Sequence, residues 1–140
     1  MVLDHIGVVV RSLEEGISQW CDLFGYKQNS EIVVNSSQRV RVVFLSKSDS
    51  LTVKLIEPTG PVSPVFLFAG KGGGLHHLCF RCGNLRVQIP ELEEKGMKLL
   101  VGPQPGEAFK NHDIAFLMAK NNLNVELIDT EEKQGWSGGG

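Results

Sequence analysis

The chain has 140 residues, 41% of them hydrophobic and 21% charged, a make-up that builds a folded core without staples. A formal net charge of −2 with scattered basic residues argues against a nucleic-acid groove or an anionic-membrane surface. No apolar run approaches a membrane span, and the start Met1-Val2-Leu3-Asp4-His5 does not read as a secretory leader. The three cysteines, Cys21, Cys79 and Cys82, therefore read as reduced thiols of a cytoplasmic protein. Cys79 and Cys82 stand three apart on an expected strand, so they point to opposite faces and do not read as a zinc or redox pair.

In chain order, Leu3 to Val10 is β-rich. Ser12-Leu13-Glu14-Glu15 forms a capping box. Leu13, Ile17, Trp20, Cys21 and Phe24 then lie along one helix face, and Gly25 ends it. Three strand-like stretches follow: Tyr26 to Val34, the weakest, then Arg39 to Leu45 and Leu51 to Glu57. Pro58 to Pro61 breaks the pattern, Ser63-Pro64 starts a short helix through Ala69, and Gly72-Gly73-Gly74 reads as a joint. Leu75 to Phe80 is a strand and Asn84 a helix cap. Leu85, Ile89 and Leu92 lie at helical spacing, with an irregular first turn and the regular helix expected from Pro90. Met97 to Val101 is a strand, and Gly102 to Lys110, with its prolines and glycines, is a loop. Asp113 to Met118 and Asn124 to Ile128 are the last strands. Glu131 to Gly140 reads as a loose tail.

Shifted by 72 residues, the chain resembles itself. His5 falls on His77, Ser12 on Asn84, Leu13 on Leu85, Ile17 on Ile89 and Lys54 on Glu126. Each half reads β-α-β-β-β, giving an α+β fold of two modules, residues 1–70 and 71–130, plus a flexible 131–140 tail. A half of that size buries too little surface alone, so the two should form one compact unit. The separations His5–Lys54 and His77–Glu126 are equal at 49 residues. Four polar side chains at equivalent strand positions should converge between the halves, in a cup-shaped cavity between paired curved mixed sheets. His76 has the opposite strand parity to His77 and reads as structural. His112 reads as solvated.

The stretches L-D-H-I-G-V-V-V, S-P-V-F-L-F-A-G-K-G-G-G-L-H-H-L-C-F and F-L-M-A-K-N-N-L-N-V-E-L resemble the vicinal-oxygen-chelate (glyoxalase/bleomycin-resistance/dioxygenase) superfamily, and within it most resemble the methylmalonyl-CoA epimerases. The resemblance implies a divalent metal (Co, Mn, Zn, Ni or Mg), no organic cofactor, and ligands at His5, His77 and Glu126. It also implies a glutamine or glutamate at position 54. This chain has Lys54, whose ammonium offers no lone pair, and nearby Glu57 has the wrong parity to replace it.

The implied chemistry is α-proton abstraction from an enolisable small acid or acyl thioester, metal-assisted, by an epimerase- or isomerase-like enzyme of the methylmalonyl-CoA epimerase or glyoxalase kind. Glu126 and Lys54 are the catalytic candidates: Glu126 as base or ligand, Lys54 as charge or proton donor. Partners implied are a small-molecule substrate such as an acyl-CoA and a second copy in a homodimer, with no nucleic acid and no membrane. Two other readings stay open. One is a lyase or dehydratase of a specialised pathway on the same fold. The other is a non-catalytic, sequestering binder that has lost the metal.

Overall fold

A computed structural model describes residues 1–136. The elements are β1 (Val2–Val9), α1 (Leu13–Phe24), β2 (Lys27–Gln28), β3 (Val33–Asn35), β4 (Val40–Ser46), β5 (Thr52–Pro58), α2 (Phe66–Gly70), β6 (Gly74–Arg81), α3 (Leu85–Glu94), β7 (Lys98–Gly106), a 3₁₀ turn (Glu107–Phe109), β8 (His112–Ala119) and β9 (Leu123–Ile128). The strands form one mixed sheet in the order β2-β4-β5-β1-β6-β9-β8-β7, with β3 on β4. β1 runs parallel to β5, β6 runs parallel to β9, and β1 and β6 join the halves antiparallel. The α+β architecture expected from the repeat is the one observed. Among the described residues, no helix is long and apolar enough to cross a membrane.

The 72-residue offset holds in the hydrogen-bond register. Gly7 faces Lys54 across β1/β5, and Cys79 faces Glu126 across β6/β9. Phe44 faces Lys54 across β4/β5, and Phe116 faces Glu126 across β8/β9. Strand alternation then sorts the side chains by face. Val53, Leu55, Val43 and Leu45 pack under Leu13 of α1, and their repeat counterparts Val125, Leu127, Ala115 and Leu117 pack under Leu85 and Ile89 of α3. A third cluster, including Phe44, Ile56, Cys79, Phe109, Ile114 and Ile128, fills the inner face shared by the halves. Each fully buried Leu or Val in these clusters stabilises the fold by about 2 kcal/mol through leaving water.

Both long helices start at side-chain caps. Ser12 Oγ accepts from Glu15 N at 3.2 Å, and Asn84 Oδ1 from Arg86 N at 3.0 Å. Gly25 ends α1 in the left-handed region, at φ 73°. The apolar stripe expected on α1 is only partly buried, because the helix rests on the sheet through Leu13 and Gly16 and leaves Phe24 exposed.

Five local expectations are corrected. Tyr26–Val34 is not one strand but two short ones, β2 and β3, separated by a loop. α2 begins at Phe66 rather than at Ser63-Pro64. α3 is helical from Leu85, with Pro90 inside it on the exposed face; the bond Pro90 cannot donate falls where water can satisfy the vacated carbonyl. β7 runs through Pro103 and Pro105 to Gly106, where a loop is expected. It is the edge strand, with register shifts against β8, and an edge tolerates residues that cannot donate to a ladder. The expected loose tail is also packed as far as Trp136. Gln134 N donates to Ala108 O, Gly135 O accepts from Glu31 N, and Trp136 lies edge-on to Phe44. Residues 137–140 lie outside the described part.

Candidate functional site

His5 on β1, Lys54 on β5, His77 on β6 and Glu126 on β9 all point to the inner face and meet at one place. His5 Nε2 lies 3.2 Å and His77 Nε2 3.1 Å from the same oxygen, Glu126 Oε1. Lys54 Nζ lies 3.6 Å from the other oxygen, Oε2. All four side chains are buried. Parity and pairing put them there: in each half, a histidine sits two residues before the position that faces the polar residue of the parallel partner strand. Glu57 points away, as its parity requires, bonding Arg41 and the N-terminus of α1 through Leu13 N.

The two rings have symmetric surroundings. Phe44 lies edge-on to His5 and Phe116 edge-on to His77, both with centroids 5.5 Å apart. Gly7 makes room for His77: a β-carbon built on it would fall 2.1 Å from His77 Cε1.

Protonation follows from burial and charge. Burial works to raise the Glu126 carboxyl, but the Lys54 charge and the contacts from His5 and His77 outweigh it and hold it well below the ordinary value. Burial pushes His77 down to about 4 against the opposing pull of Glu126. The site is thus a carboxylate anion beside a neutral His77 at pH 7, the protonation states a metal needs in its ligands. His5 Nε2, His77 Nε2 and both Glu126 oxygens are buried without an aligned hydrogen bond. Ligand atoms of His5, His77 and Glu126 all lie within 4.8 Å of one another. Converging, unsatisfied nitrogen and oxygen atoms of this kind fit a divalent ion. Lys54 opposes such an ion by its charge but leaves the three ligand atoms clear, because it stands at the far oxygen, Oε2, and over the Phe109 ring, 5.1 Å from its centroid.

The strand holding His77 departs from simple alternation. Gly7 pairs with His77 but Val8 pairs with Leu75, so His76 is the extra residue of a bulge. The bulge brings His76 to the same side as His77, with Nδ1 atoms 2.8 Å apart, and lowers its pKa through burial and the Lys54 charge. The structural role expected of His76 from parity is therefore incomplete: it lines the cavity. On β1, Leu3 pairs with Phe80 and His5 with Cys79, so Asp4 is the extra residue there. Asp4 and His76 are one repeat apart. That offset was open to inspection in the sequence, but the bulges that make it matter are not legible in a strand pattern. His112 is largely solvated, as expected, 3.7 Å from both Asp129 and Glu132.

A cavity of about 40 Å³ opens onto this group, lined by Lys54, His76, His77 and Glu126, by Asn35 and Gln38, and by the apolar Val42, Ile56, Val65, Ile114 and Phe116. It has room for an ion and about two waters. Asn35 and Gln38 carry no motif, and only the fold brings them here. A larger depression of about 530 Å³ beside Gln104 and Glu107 holds none of the four residues.

Residues 4–116 match the sequence family described as the glyoxalase/bleomycin resistance protein/dioxygenase superfamily. An uncharacterized protein of Bacillus subtilis strain 168 is 33% identical over 135 residues, covering 94% of each chain. The mitochondrial methylmalonyl-CoA epimerase of Mus musculus is 34% identical over 100 residues, which span 70% of this chain and 55% of that one. A variant of the Streptomyces coelicolor methylmalonyl-CoA epimerase, solved in complex with 2-nitronate-propionyl-CoA, superposes with a TM-score of 0.80 at 26% identity, covering 93% of this chain and 94% of that one.

Proposed function

This chain belongs to the glyoxalase/bleomycin resistance protein/dioxygenase superfamily, and from that premise we propose that it is a metal-assisted epimerase or isomerase that abstracts the α-proton of an acyl thioester or related enolisable acid. The convergence of His5 Nε2, His77 Nε2 and Glu126 Oε1 without aligned hydrogen bonds carries the reading. The similarity to methylmalonyl-CoA epimerases supports the substrate class.

His5, His77 and Glu126 would hold the ion, which when bound supplies Lewis acidity toward a substrate oxygen. His77 can offer its Nε2 lone pair only if its hydrogen sits on Nδ1, and His76 Nδ1, 2.8 Å away, is placed to accept it. Glu126 is held well below the ordinary carboxylate value, which suits a ligand better than a base. Lys54, on the cavity wall, directs positive charge at the place where an enolate oxygen develops. Among the described residues lining the cavity, the ionisable ones are Lys54, His76, His77 and Glu126. With His77 and Glu126 Oε1 given to the ion and His76 Nδ1 to His77, Glu126 Oε2 is the lone pair left to take the α-proton, weak base though it is, and the Lys54 ammonium beside it can return one. The apolar walls exclude water from the reacting carbon. An acyl group needs more room than the present cavity offers, so substrate entry requires side chains such as Gln38 and Val65 to move.

Metal analysis after loading with Co²⁺ or Mn²⁺ should find about one ion per chain, and none in His5→Ala. The loaded protein should then exchange the α-proton of methylmalonyl-CoA into D₂O, and Lys54→Ala should slow that exchange. Absence of exchange with any branched acyl-CoA, together with absence of bound metal, would reject the proposal. Tight binding of an apolar ligand by the metal-free chain would favour the sequestering role instead.

A further inference from the structure

The bulge residue Asp4 has a use beyond its own strand. Its carboxylate takes His5 Nδ1 at 2.7 Å and is held from behind by two cations, Arg81 Nε at 3.1 Å and Lys133 Nζ at 3.1 Å from Oδ2 and 3.2 Å from Oδ1. Lys133 comes from the segment after β9 and is only 9% exposed. Its ammonium lies 5.5 Å from the centroids of Phe44 and Trp136, and Phe44 is the ring set edge-on to His5. The backbone just after Lys133 is pinned by Gln134 N to Ala108 O and Glu31 N to Gly135 O. None of Asp4, His5 or Lys133 belongs to the cavity wall, so this assembly serves the far side of the ring. The other half lacks it: the residue equivalent to Asp4 is His76, a neutral partner that pairs with no cation among the described residues and feels only Lys54, across the cavity.

We propose that Lys133 acts through Asp4 as a positioning residue for the site. It fixes the carboxylate so that His5 keeps its hydrogen on Nδ1 and leaves the Nε2 lone pair, beside Glu126 Oε1, for the ion that the two would share. A charge-anchored carboxylate behind an imidazole fixes tautomer and ring orientation, and raises the basicity of the nitrogen that faces the ligand. The inference rests on the reading of His5 as a ligand through Nε2, but its first test does not need the metal.

Ring-nitrogen NMR of the metal-free full chain above pH 7 should show His5 as the Nδ1–H tautomer. Lys133→Met keeps the apolar stem and removes the charge; it should give mixed His5 tautomers and about a 10-fold weaker Co²⁺ dissociation constant. Lys133→Arg should restore both, Asp4→Asn should reproduce the defect, and Trp136→Ala, which loosens the segment and removes one ring from beside Lys133 but keeps both members of the ion pair, should leave the tautomer in place. Unchanged His5 tautomer and Co²⁺ affinity in Lys133→Met would overturn the proposal. So would a Lys133→Met defect that Arg fails to rescue and Trp136→Ala matches, since that is the signature of segment packing alone. If the wild-type chain takes up no Co²⁺ yet Lys133→Met still shifts the His5 tautomer, the ligand reading fails and the positioning role of Lys133 stands.

Discussion

The two halves of this protein use one backbone device with two different chemistries. In each, a bulge places the residue before the site histidine beside that histidine's Nδ1. In the first half the residue is Asp4, tied to Arg81 and Lys133; in the second it is His76, facing the cavity. The same divergence recurs at the surface. Glu14 pairs with Arg41 in the first half, and their counterparts one repeat on are Arg86 and Asp113, which pair with the charges exchanged. Pairwise geometry recurs because the two halves share one register. The identity of each partner drifts, because either sign of a pair satisfies the same geometry. At the centre, Lys54 and Glu126 occupy equivalent positions with opposite charge, so a site that symmetry would make repulsive becomes an ion pair.

That central pair is the place to break the comparison most severely. Glu126→Gln strands the buried Lys54 ammonium, and urea unfolding should show a loss of about 3–5 kcal/mol. Adding Lys54→Met should return much of it. Recovery in the double variant would show that Lys54 and Glu126 stabilise the fold through each other.

The second half should also dominate the acid response. His77 is held at about 4, below the unfolded value near 6.5, so in metal-free protein its contribution is complete above pH 6.5 and is lost as the pH falls toward 4. The loss amounts to about 3 kcal/mol across that window. Glu126, also depressed, extends the decline below its ordinary value of 4.5. Stability measured against pH should show this slope, and His77→Asn should flatten the part between pH 6.5 and 4.

Gly7 and Cys79 are repeat counterparts with unequal tolerance. Gly7→Ala drives a β-carbon into the His77 ring and should cost about 1–3 kcal/mol, with weaker Co²⁺ uptake. Cys79→Gly should unfold more easily as well, through lost packing, but should leave the His77 ring resonances in place.

The smallest effects belong to the surface pairs. Arg41→Met should cost about 1 kcal/mol, because Arg41 also holds Glu57 at the N-terminus of α1. Arg86→Met, at a mostly exposed pair, should cost about 0.5 kcal/mol or less. Equal losses would mean that the Glu57 contact adds nothing.

His5, His77, Lys54 and Glu126 were legible as a set because strands alternate with period two and the repeat keeps one offset, so equal spacing forces equal facing. Phe44 and Phe116 obey the same offset but hide among ordinary core residues. Asn35 and Gln38 sit around the short β3, where neither periodicity nor repeat speaks. β7 was misread because proline is a breaker by local rule and acceptable at a sheet edge, and edge status is a property of the whole sheet.

By itself the sequence determined what depends on neighbours along the chain and on one repeated interval: the helix caps at Ser12 and Asn84, the strand faces, the α+β repeat and the four-residue set. Only the tertiary structure decided which oxygen of Glu126 each partner meets, that Lys54 stands behind the histidines' oxygen rather than beside it, and that Lys133 reaches Asp4. Those depend on bulges, on ring packing and on contacts across 129 residues of chain. Local propensity carries no record of them, because their energy appears only when the sheet has closed around the site.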